Sequence, residues 1–261
     1  MSAAAARVLV LGTGTSHGVP MIGCECRTCR STDPRDKRSR ASILLQTSGG
    51  PAVLIDTTPD LRMQALTHDV KRVDAIVYTH SHADHVMGLD EVRRFNVLQK
   101  SAIPCYGDER TLADLKRIYS YIFSADTPRG GGVPQVVLAE IAGEFCIGPA
   151  TLLPVPIMHG NRQIFGYRIG SFAYLTDCSA IPDASWPLLS GVRTVVLDAL
   201  RERPHPTHMS LDQALATVER IAPERAWFTH MCHDLPHAAT SARLPAGVEL
   251  AYDGLTFEID L

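Results

Sequence analysis

Short apolar runs that end in glycine or polar residues are the dominant pattern along this chain. Residues 7–12 alternate as a strand does and lead into a glycine-rich turn. The runs at 42–46 and 52–56 predict a hairpin, and the apolar centre of 74–79 indicates a strand buried on both faces. Further short runs predict strands at 136–138, 151–155, 164–169, 172–175, 194–198, 226–229, 249–251 and 255–259.

Helical periodicity appears between these runs, at residues 59–66, 89–98, 111–123 and 211–221. Ser210 is the expected N-cap of the last of these helices. Strands dominate each half and helices lie between them, which favours two packed sheets with helices outside. The Pro- and Gly-rich residues 127–134 predict a flexible loop or lid.

Composition narrows the class of protein. A chain of 261 residues with 45% hydrophobic and 20% charged residues can bury a sizeable core, and no linker divides it, so we expect one domain over 1–261. A net charge of −3 is not a nucleic-acid footprint. We find no signal peptide and no apolar segment of about 18 residues, so we expect a cytoplasmic protein with reduced thiols and no membrane partner.

A histidine cluster, Thr-His-Ser-His-Ala-Asp-His, ends the strand at 74–79. Alternation sends His80 and His82 to the same side, and a tight turn brings Asp84 and His85 to a second point. So many imidazoles behind an apolar strand need a partner such as a metal ion. Later strand-like runs contain or precede three more candidate ligands, His159, Asp177 and His230. The sequence therefore predicts a centre for two metal ions.

A cysteine cluster precedes the histidine cluster in the chain. Cys24, Cys26 and Cys29 have a C-x-C-x₂-C spacing that lets three sulfurs converge on one tetrahedral ion, and the fourth ligand is not local. The odd total of seven cysteines agrees better with metal ligands or buried thiols than with disulfides. We expect Cys105, Cys146 and Cys178 to be ordinary buried or semi-buried thiols.

The order of the histidine cluster, His159, Asp177 within Leu-Thr-Asp-Cys-Ser, and His230 resembles the metallo-β-lactamase superfamily over nearly the whole chain. The resemblance implies an α/β fold, an αβ/βα four-layer sandwich of two mixed sheets flanked by helices. It implies one ion at His80, His82, His159 and Asp177, and a second at Asp84, His85, Asp177 and His230. Asp177 then bridges the ions, Asp84 is essential for catalysis, and a bridging hydroxide is the nucleophile.

The segments 12–20, 175–179 and 229–233, together with the cysteine triad, look like those of the PhnP-type phosphoribosyl cyclic phosphodiesterases, which are relatives of tRNase Z. That resemblance implies a structural Zn²⁺ at Cys24, Cys26, Cys29 and His233, with Cys232 and His237 as competitors for the fourth position. The two ions of the active site are then Zn²⁺ or Mn²⁺.

These phosphodiesterases use a late histidine to stabilise charge or to protonate the leaving group. His208 matches that position, and His205 three residues before it is the alternative. We prefer His208 because it abuts the N-terminus of the helix at 211–221, which favours a bound phosphate. His17, in the glycine-rich turn, either contacts substrate or is structural.

The predicted function is hydrolysis of small cyclic phosphodiesters such as ribosyl 1,2-cyclic phosphate. The chain lacks a long basic arm for tRNA, and Arg129 in the lid, Arg162 or Arg168 could contact a small anion instead. Nucleic acid is therefore disfavoured, and relatives suggest a homodimer by analogy. The alternatives are an RNA-processing, ester or thioester metallohydrolase, and a non-catalytic carrier like the pyrroloquinoline-quinone biosynthesis protein B.

Overall fold

The computed structural model describes residues 5–47, 49–128 and 132–261, and it contains two seven-stranded sheets. In the first sheet the order of strands is β14-β1-β2-β3-β4-β5-β6. Strands β3 to β6 are parallel to one another, and the rest are antiparallel. Their bounds are β1 Ala5–Gly12, β2 Ser42–Thr47, β3 Ala52–Ile55, β4 Ala75–Val77, β5 Ile103–Gly107, β6 Val136–Glu140 and β14 Thr256–Asp260.

The second sheet mirrors the first, with the order β13-β12-β11-β10-β9-β8-β7. Strands β10 to β13 are parallel, and β7 to β10 form an antiparallel meander. The strands are β7 Phe145–Ile147, β8 Ala150–His159, β9 Arg162–Ile169, β10 Phe172–Leu175, β11 Thr194–Asp198, β12 Arg225–Thr229 and β13 Val248–Leu250.

Apolar side chains alternate in these strands, so each sheet has an inner and an outer apolar face. Val8 and Ile43 of the first sheet share the inner core with Phe172 and Tyr174 of the second. Helices cover the two outer faces, which gives the four layers of the predicted αβ/βα sandwich and confirms that fold class. The helices are α1 Leu61–Thr67, α2 Ala83–Val86, α3 Arg93–Gln99, α4 Glu109–Ile118, α5 Ser120–Phe123, α6 Leu211–Ile221 and α7 His237–Ser241.

Two predicted helices are interrupted in the structure. The helix predicted at 111–123 divides into α4 and α5 at Tyr119, whose φ of −108° and ψ of 42° are not helical. The helix predicted at 89–98 begins as a 3₁₀ turn, Leu89–Val92, before α3. Strands β5 and β7 and helices α2 and α7 were not predicted, because β5 contains Pro104 and the other three elements have only three to five residues.

Two further expectations from the sequence concern the lid and membrane-spanning segments. Of the predicted lid at 127–134, residues 129–131, which include Arg129, lie outside the described residues. None of the described helices is long and apolar enough to cross a membrane.

Candidate active site and metal centre

The candidate site lies where strands of both sheets end at the same edge of the sandwich. Asp56 and His80 follow β3 and β4 of the first sheet, and His159, Asp177 and His230 end or follow β8, β10 and β12 of the second. Asp56, Asp177 and His230 have φ values of 67°, 56° and 59°. This left-handed conformation is uncommon for residues other than glycine, and it occurs here at three strand ends that carry polar side chains into the site.

The first set of possible metal ligands is His80, His82, His159 and Asp177. Each offers a nitrogen or oxygen atom, and these atoms all lie within 4.8 Å of one another. The ring centroids of the three imidazoles are 4.5 to 5.4 Å apart. His82 is exposed and the other three residues are buried, so this set faces solvent on one side only.

The second set is Asp84, His85, Asp177 and His230, again with ligand atoms within 4.8 Å of one another. Asp177 belongs to both sets and its oxygens divide between them. Oδ1 lies 3.1 Å from His85 Nε2 and 3.3 Å from His230 Nε2, whereas Oδ2 lies 3.8 Å from His80 Nε2. A carboxylate in this position can contact two ions at once.

The ring nitrogens that face the centre are suited to binding cations. His80 Nε2 and His85 Nε2 are buried and make no well-aligned hydrogen bond among the described residues, although Asp177 Oδ1 lies 3.1 Å from His85 Nε2. Buried polar atoms without partners are costly, and a cation removes that cost. Nitrogen and carboxylate oxygen donors suit Zn²⁺ and Mn²⁺, so the residues present fit divalent metals.

Three of the candidate ligands have the charge states that a metal requires, whereas burial of His85 is outweighed by the surrounding carboxylates, which raise its pKa and show how acidic the centre is. Burial raises the pKa of Asp177, but the neighbouring charges of His230 and His85 outweigh it and hold this pKa well below its usual range. Burial lowers the pKa values of His80 and His159. The carboxylate is therefore ionised and these two imidazoles are neutral, as ligands must be.

The Nδ1 atoms of the imidazoles are fixed by groups behind them. Asp56, fully buried, accepts hydrogen bonds from the backbone and hydroxyl of Thr79 and lies 2.8 Å from His85 Nδ1. Thr79 Oγ1 already donates to Asp56, so it accepts from His80 Nδ1 at 3.0 Å. His159 Nδ1 donates to the carbonyl oxygen of Thr207 at 2.8 Å. Each Nε2 is thereby left for the centre.

His208 lies beside this centre. Its ring stacks on that of His230, with centroids 4.6 Å apart, and lies 4.8 Å from the ring of His159. His208 Nδ1 is 2.8 Å from Asp198 Oδ2, and Asp198 also accepts a hydrogen bond from the backbone of Met209. This contact orients the ring and leaves Nε2 for another group. His205 is less buried, and its Nδ1 contacts the hydroxyl of Thr207.

Sequence reasoning missed Asp56 and Asp198. Both directly follow or end a buried strand, which is the position that singled out His80 and Asp177. That signal was present in the sequence, but neither aspartate stands in a cluster of histidines.

The side chains of the three clustered cysteines lie close to that of His233, which comes three residues after His230 in the chain. The sulfur atoms of Cys24, Cys26 and Cys29 lie 3.3, 3.4 and 3.5 Å from His233 Nδ1. This set of three sulfurs and one nitrogen fits a tetrahedral Zn²⁺.

The two competitors for the fourth position make other contacts. Cys232 Sγ accepts a hydrogen bond from the backbone of Asp234, and His237 Nε2 contacts the carbonyl oxygen of Leu250. Neither residue joins the cysteine cluster in the structure.

The other three cysteines were expected to be buried or semi-buried. Cys105 and Cys178 are buried, but Cys146 is exposed on the short strand β7, so the expectation for Cys146 is wrong.

Of the two described arginines that the sequence suggested as substrate contacts, one lies at the site and the other does not. Arg162 pairs in register with His159, and its guanidinium lies 3.3 Å from the hydroxyl of Ser81, between His80 and His82. Arg168 is at the other end of β9, where it donates to carbonyl oxygens of Gly170 and Leu188. The suggestion that Arg168 contacts substrate is therefore wrong, because both hydrogen bonds place its guanidinium away from the site.

Comparison with known proteins agrees with this geometry. The sequence model of the beta-lactamase superfamily domain matches residues 52–231. The crystal structure of a diphosphatase from the PhnP family superposes with a TM-score of 0.92 at 47% identity, and 98% of each chain is covered.

Two curated proteins are similar in sequence. The octanoyltransferase of Porphyromonas gingivalis is 37% identical over 258 residues, which cover 97% of this chain and 52% of that protein. The chain thus spans about half the length of that relative. The coenzyme PQQ synthesis protein B of Xanthomonas axonopodis pv. citri is 26% identical over 304 residues, which cover 95% of this chain and 98% of that protein.

Proposed function

This chain is a metal-dependent hydrolase of the beta-lactamase superfamily, and we propose that its substrates are small phosphodiesters, such as ribosyl 1,2-cyclic phosphate. The observation that carries the proposal is the buried pair of His208 and Asp198 beside two sets of His and Asp ligands. A dialkyl phosphodiester has a poor leaving group, so its hydrolysis benefits from a positioned imidazole.

We propose that His80, His82, His159 and Asp177 hold one divalent ion, and that Asp84, His85, Asp177 and His230 hold the other. When bound, two such ions supply a nucleophile from water at neutral pH and polarise phosphoryl oxygens. Zn²⁺ and Mn²⁺ both suit these donors. A third ion, Zn²⁺, is assigned to Cys24, Cys26, Cys29 and His233.

The protein's own groups contribute three further actions. Asp198 holds the His208 ring by its Nδ1, so Nε2 is the atom that can carry a proton to a leaving oxygen. Asp56 keeps His85 Nε2 directed at the centre. Arg162, whose Nη1 and Nη2 atoms lie 3.3 Å from the hydroxyl of Ser81 between two candidate ligands, can contact a phosphoryl oxygen.

A second candidate function is hydrolysis of a diphosphate. It is favoured by the PhnP-family relative, which is described as a diphosphatase and is 47% identical to this chain. The same ions and the same imidazole would serve this reaction, because only the leaving group differs.

A panel of substrates tests both candidates against the alternatives. It contains bis-p-nitrophenyl phosphate, a 2′,3′-cyclic nucleotide, ribosyl 1,2-cyclic phosphate, a dinucleoside diphosphate, a β-lactam and a glutathione thioester. We expect turnover of phosphorus esters alone, abolished in Asp84→Ala. Turnover of only the thioester or the β-lactam would overturn the proposal, and no turnover by fully metallated protein would favour the carrier alternative.

A further inference from the structure

The hydroxyl of Ser81 connects three elements at the candidate site. Ser81 lies between the candidate ligands His80 and His82, after β4 of the first sheet. Arg162 begins β9 of the second sheet, and its Nη1 and Nη2 atoms lie 3.3 Å from Ser81 Oγ. Asp114 of helix α4 accepts a hydrogen bond from the same hydroxyl at 2.6 Å. The hydroxyl therefore links helix α4 to both sheets beside the first set of candidate ligands.

The charge of Asp114 determines which way this hydroxyl points. The hydrogen bond from Ser81 and the charge of Arg117 hold the pKa of Asp114 below its usual range, so its carboxylate is ionised and can only accept. A hydroxyl has a single hydrogen, and that of Ser81 is directed at Asp114. The lone pairs of Ser81 Oγ are therefore the part that faces the Arg162 guanidinium.

Arg162 is held in this way without being neutralised. No carboxylate oxygen lies within 4.0 Å of its guanidinium among the described residues. Burial and, after it, the charge of Arg110 lower the pKa of Arg162, and the carboxylates of Asp108 and Asp114 only partly oppose this. A guanidinium held by a neutral oxygen keeps its charge for a ligand, whereas a direct ion pair with Asp114 would neutralise it.

The arrangement gives Asp114 a role at a distance from the reacting atoms. An arginine that is already held in place loses less conformational entropy when it binds a ligand than a mobile one does. We propose that Asp114 is a positioning residue, which acts through Ser81 to hold Arg162 beside the first set of candidate ligands. Asp114 itself then contacts neither substrate nor ion. This inference rests on the proposed phosphodiesterase function, in which Arg162 contacts a phosphoryl oxygen.

A double-mutant cycle separates this role from a general effect on folding. The measured quantity is kcat/KM for bis-p-nitrophenyl phosphate, with metal content determined in parallel. We expect Asp114→Ala to lower it about fivefold when Arg162 is present, within the range of coupling in one hydrogen-bonded network, and by less than about twofold in an Arg162→Gln background. Ser81→Ala should have the same effect as Asp114→Ala, whereas Ser81→Thr keeps the hydroxyl and should keep most of the activity.

Asp74→Ala is the matched control for Asp114→Ala. Asp74 also contacts an arginine close in the chain, with Arg72 Nε 2.8 Å from its Oδ1, and it also accepts a second hydrogen bond, from the backbone of Ala52. It precedes β4, at the opposite end of that strand from His80. We expect the kcat/KM of this variant to equal that of the wild type.

Binding of inorganic phosphate provides a readout that does not need turnover. Calorimetry on metal-loaded protein should give a Kd about fivefold higher for Asp114→Ala than for the wild type, and equal values for Arg162→Gln with and without Asp114→Ala. If the wild type hydrolyses no phosphodiester, the proposed function fails while phosphate binding still decides the role of Asp114. A loss of the same size in both Arg162 backgrounds, or wild-type kcat/KM and phosphate affinity in Asp114→Ala, would overturn the inference.

Discussion

Single residues behind the candidate ligands determine which way the imidazoles face. Asp56 and Asp198 are both fully buried, and each lies 2.8 Å from the Nδ1 of one histidine while accepting a hydrogen bond from a backbone amide. Because Nδ1 is occupied, the opposite ring nitrogen is the one presented to the site. The two aspartates thus act through His85 and His208 rather than on substrate.

The role of His208 makes a prediction about leaving groups. His208→Ala should lower kcat by roughly 10²- to 10⁴-fold for a sugar phosphodiester, the usual scale for a lost general acid or charge stabiliser. The loss should be smaller for a p-nitrophenyl ester, because that leaving group hardly needs a proton. Steady-state kinetics on both esters, with metal content measured in parallel, provide the check.

His205→Ala is the control for this prediction, because His205 lies close by with its ring centroid 5.3 Å from that of His208. We expect a much smaller effect from it. Equal losses on both esters in His208→Ala would show that His208 binds phosphate rather than acting as the acid. A large loss in His205→Ala alone would show that His205 is the acid.

Asp56 gives a prediction about metal affinity. Asp56→Asn removes the negative charge behind His85, so the second ion should bind roughly 10- to 100-fold more weakly, the usual cost of losing such a contact. Competition with a chelator measures this affinity. Asp253→Asn is a matched control, because Asp253 also accepts three hydrogen bonds, from Thr13 and Ser39, and none of them comes from a candidate ligand. Equal metal affinity in the two variants would contradict the assignment.

At the scale of elements, the cysteine loop is tied to the segment after β12. Gly14 pairs with both Arg40 and Met231, and a Cβ added at Gly14 would lie 2.8 Å from the carbonyl oxygen of Arg38. The fully buried guanidinium of Arg38 donates to the carbonyl oxygens of Cys232 and Leu235. These contacts, together with the proposed zinc ligand His233, hold the segment that follows the candidate ligand His230.

The cysteine site predicts a loss of stability on mutation. Cys26→Ser should release one metal equivalent and destabilise the fold by at least about 2 kcal/mol, or roughly 4–8 °C in Tm, because the binding energy of a structural ion is part of the folding energy. Thermal unfolding followed by circular dichroism tests this. Cys146→Ser changes an exposed thiol and should leave both quantities unchanged. A Cys26→Ser protein with full zinc content and wild-type Tm would show that the site is misassigned.

The elements differ in how far the sequence predicts them. Strands such as β10 and β11 are continuous apolar runs, so their burial follows directly from the pattern. The break at Tyr119 has no signal in the apolar periodicity, since this residue continues the helical face. Pairing between Cys24 and His233, which are 209 residues apart, depends on the complete fold, and only the resemblance to a family pointed to it.

At the scale of the whole molecule, both sheets contribute to one inner core and to one edge that carries the site. Trp227 of the second sheet stacks on Phe257 of the first, with ring centroids 4.5 Å apart. We propose that the chain unfolds as a single unit. Tryptophan fluorescence and far-ultraviolet circular dichroism of the metal-loaded protein should give the same midpoint, and two separate transitions would contradict this.

The central claim is that one chain binds three ions in two separate places, with Asp177 shared by the two ions of the active site. Elemental analysis after supplementation with metal and removal of excess tests it directly. We predict three equivalents for the wild type, two for Cys26→Ser and one for Asp177→Ala, because Asp177 belongs to both sets of ligands. Fewer than three equivalents in the wild type, or an Asp177→Ala protein that still holds three, would contradict the account.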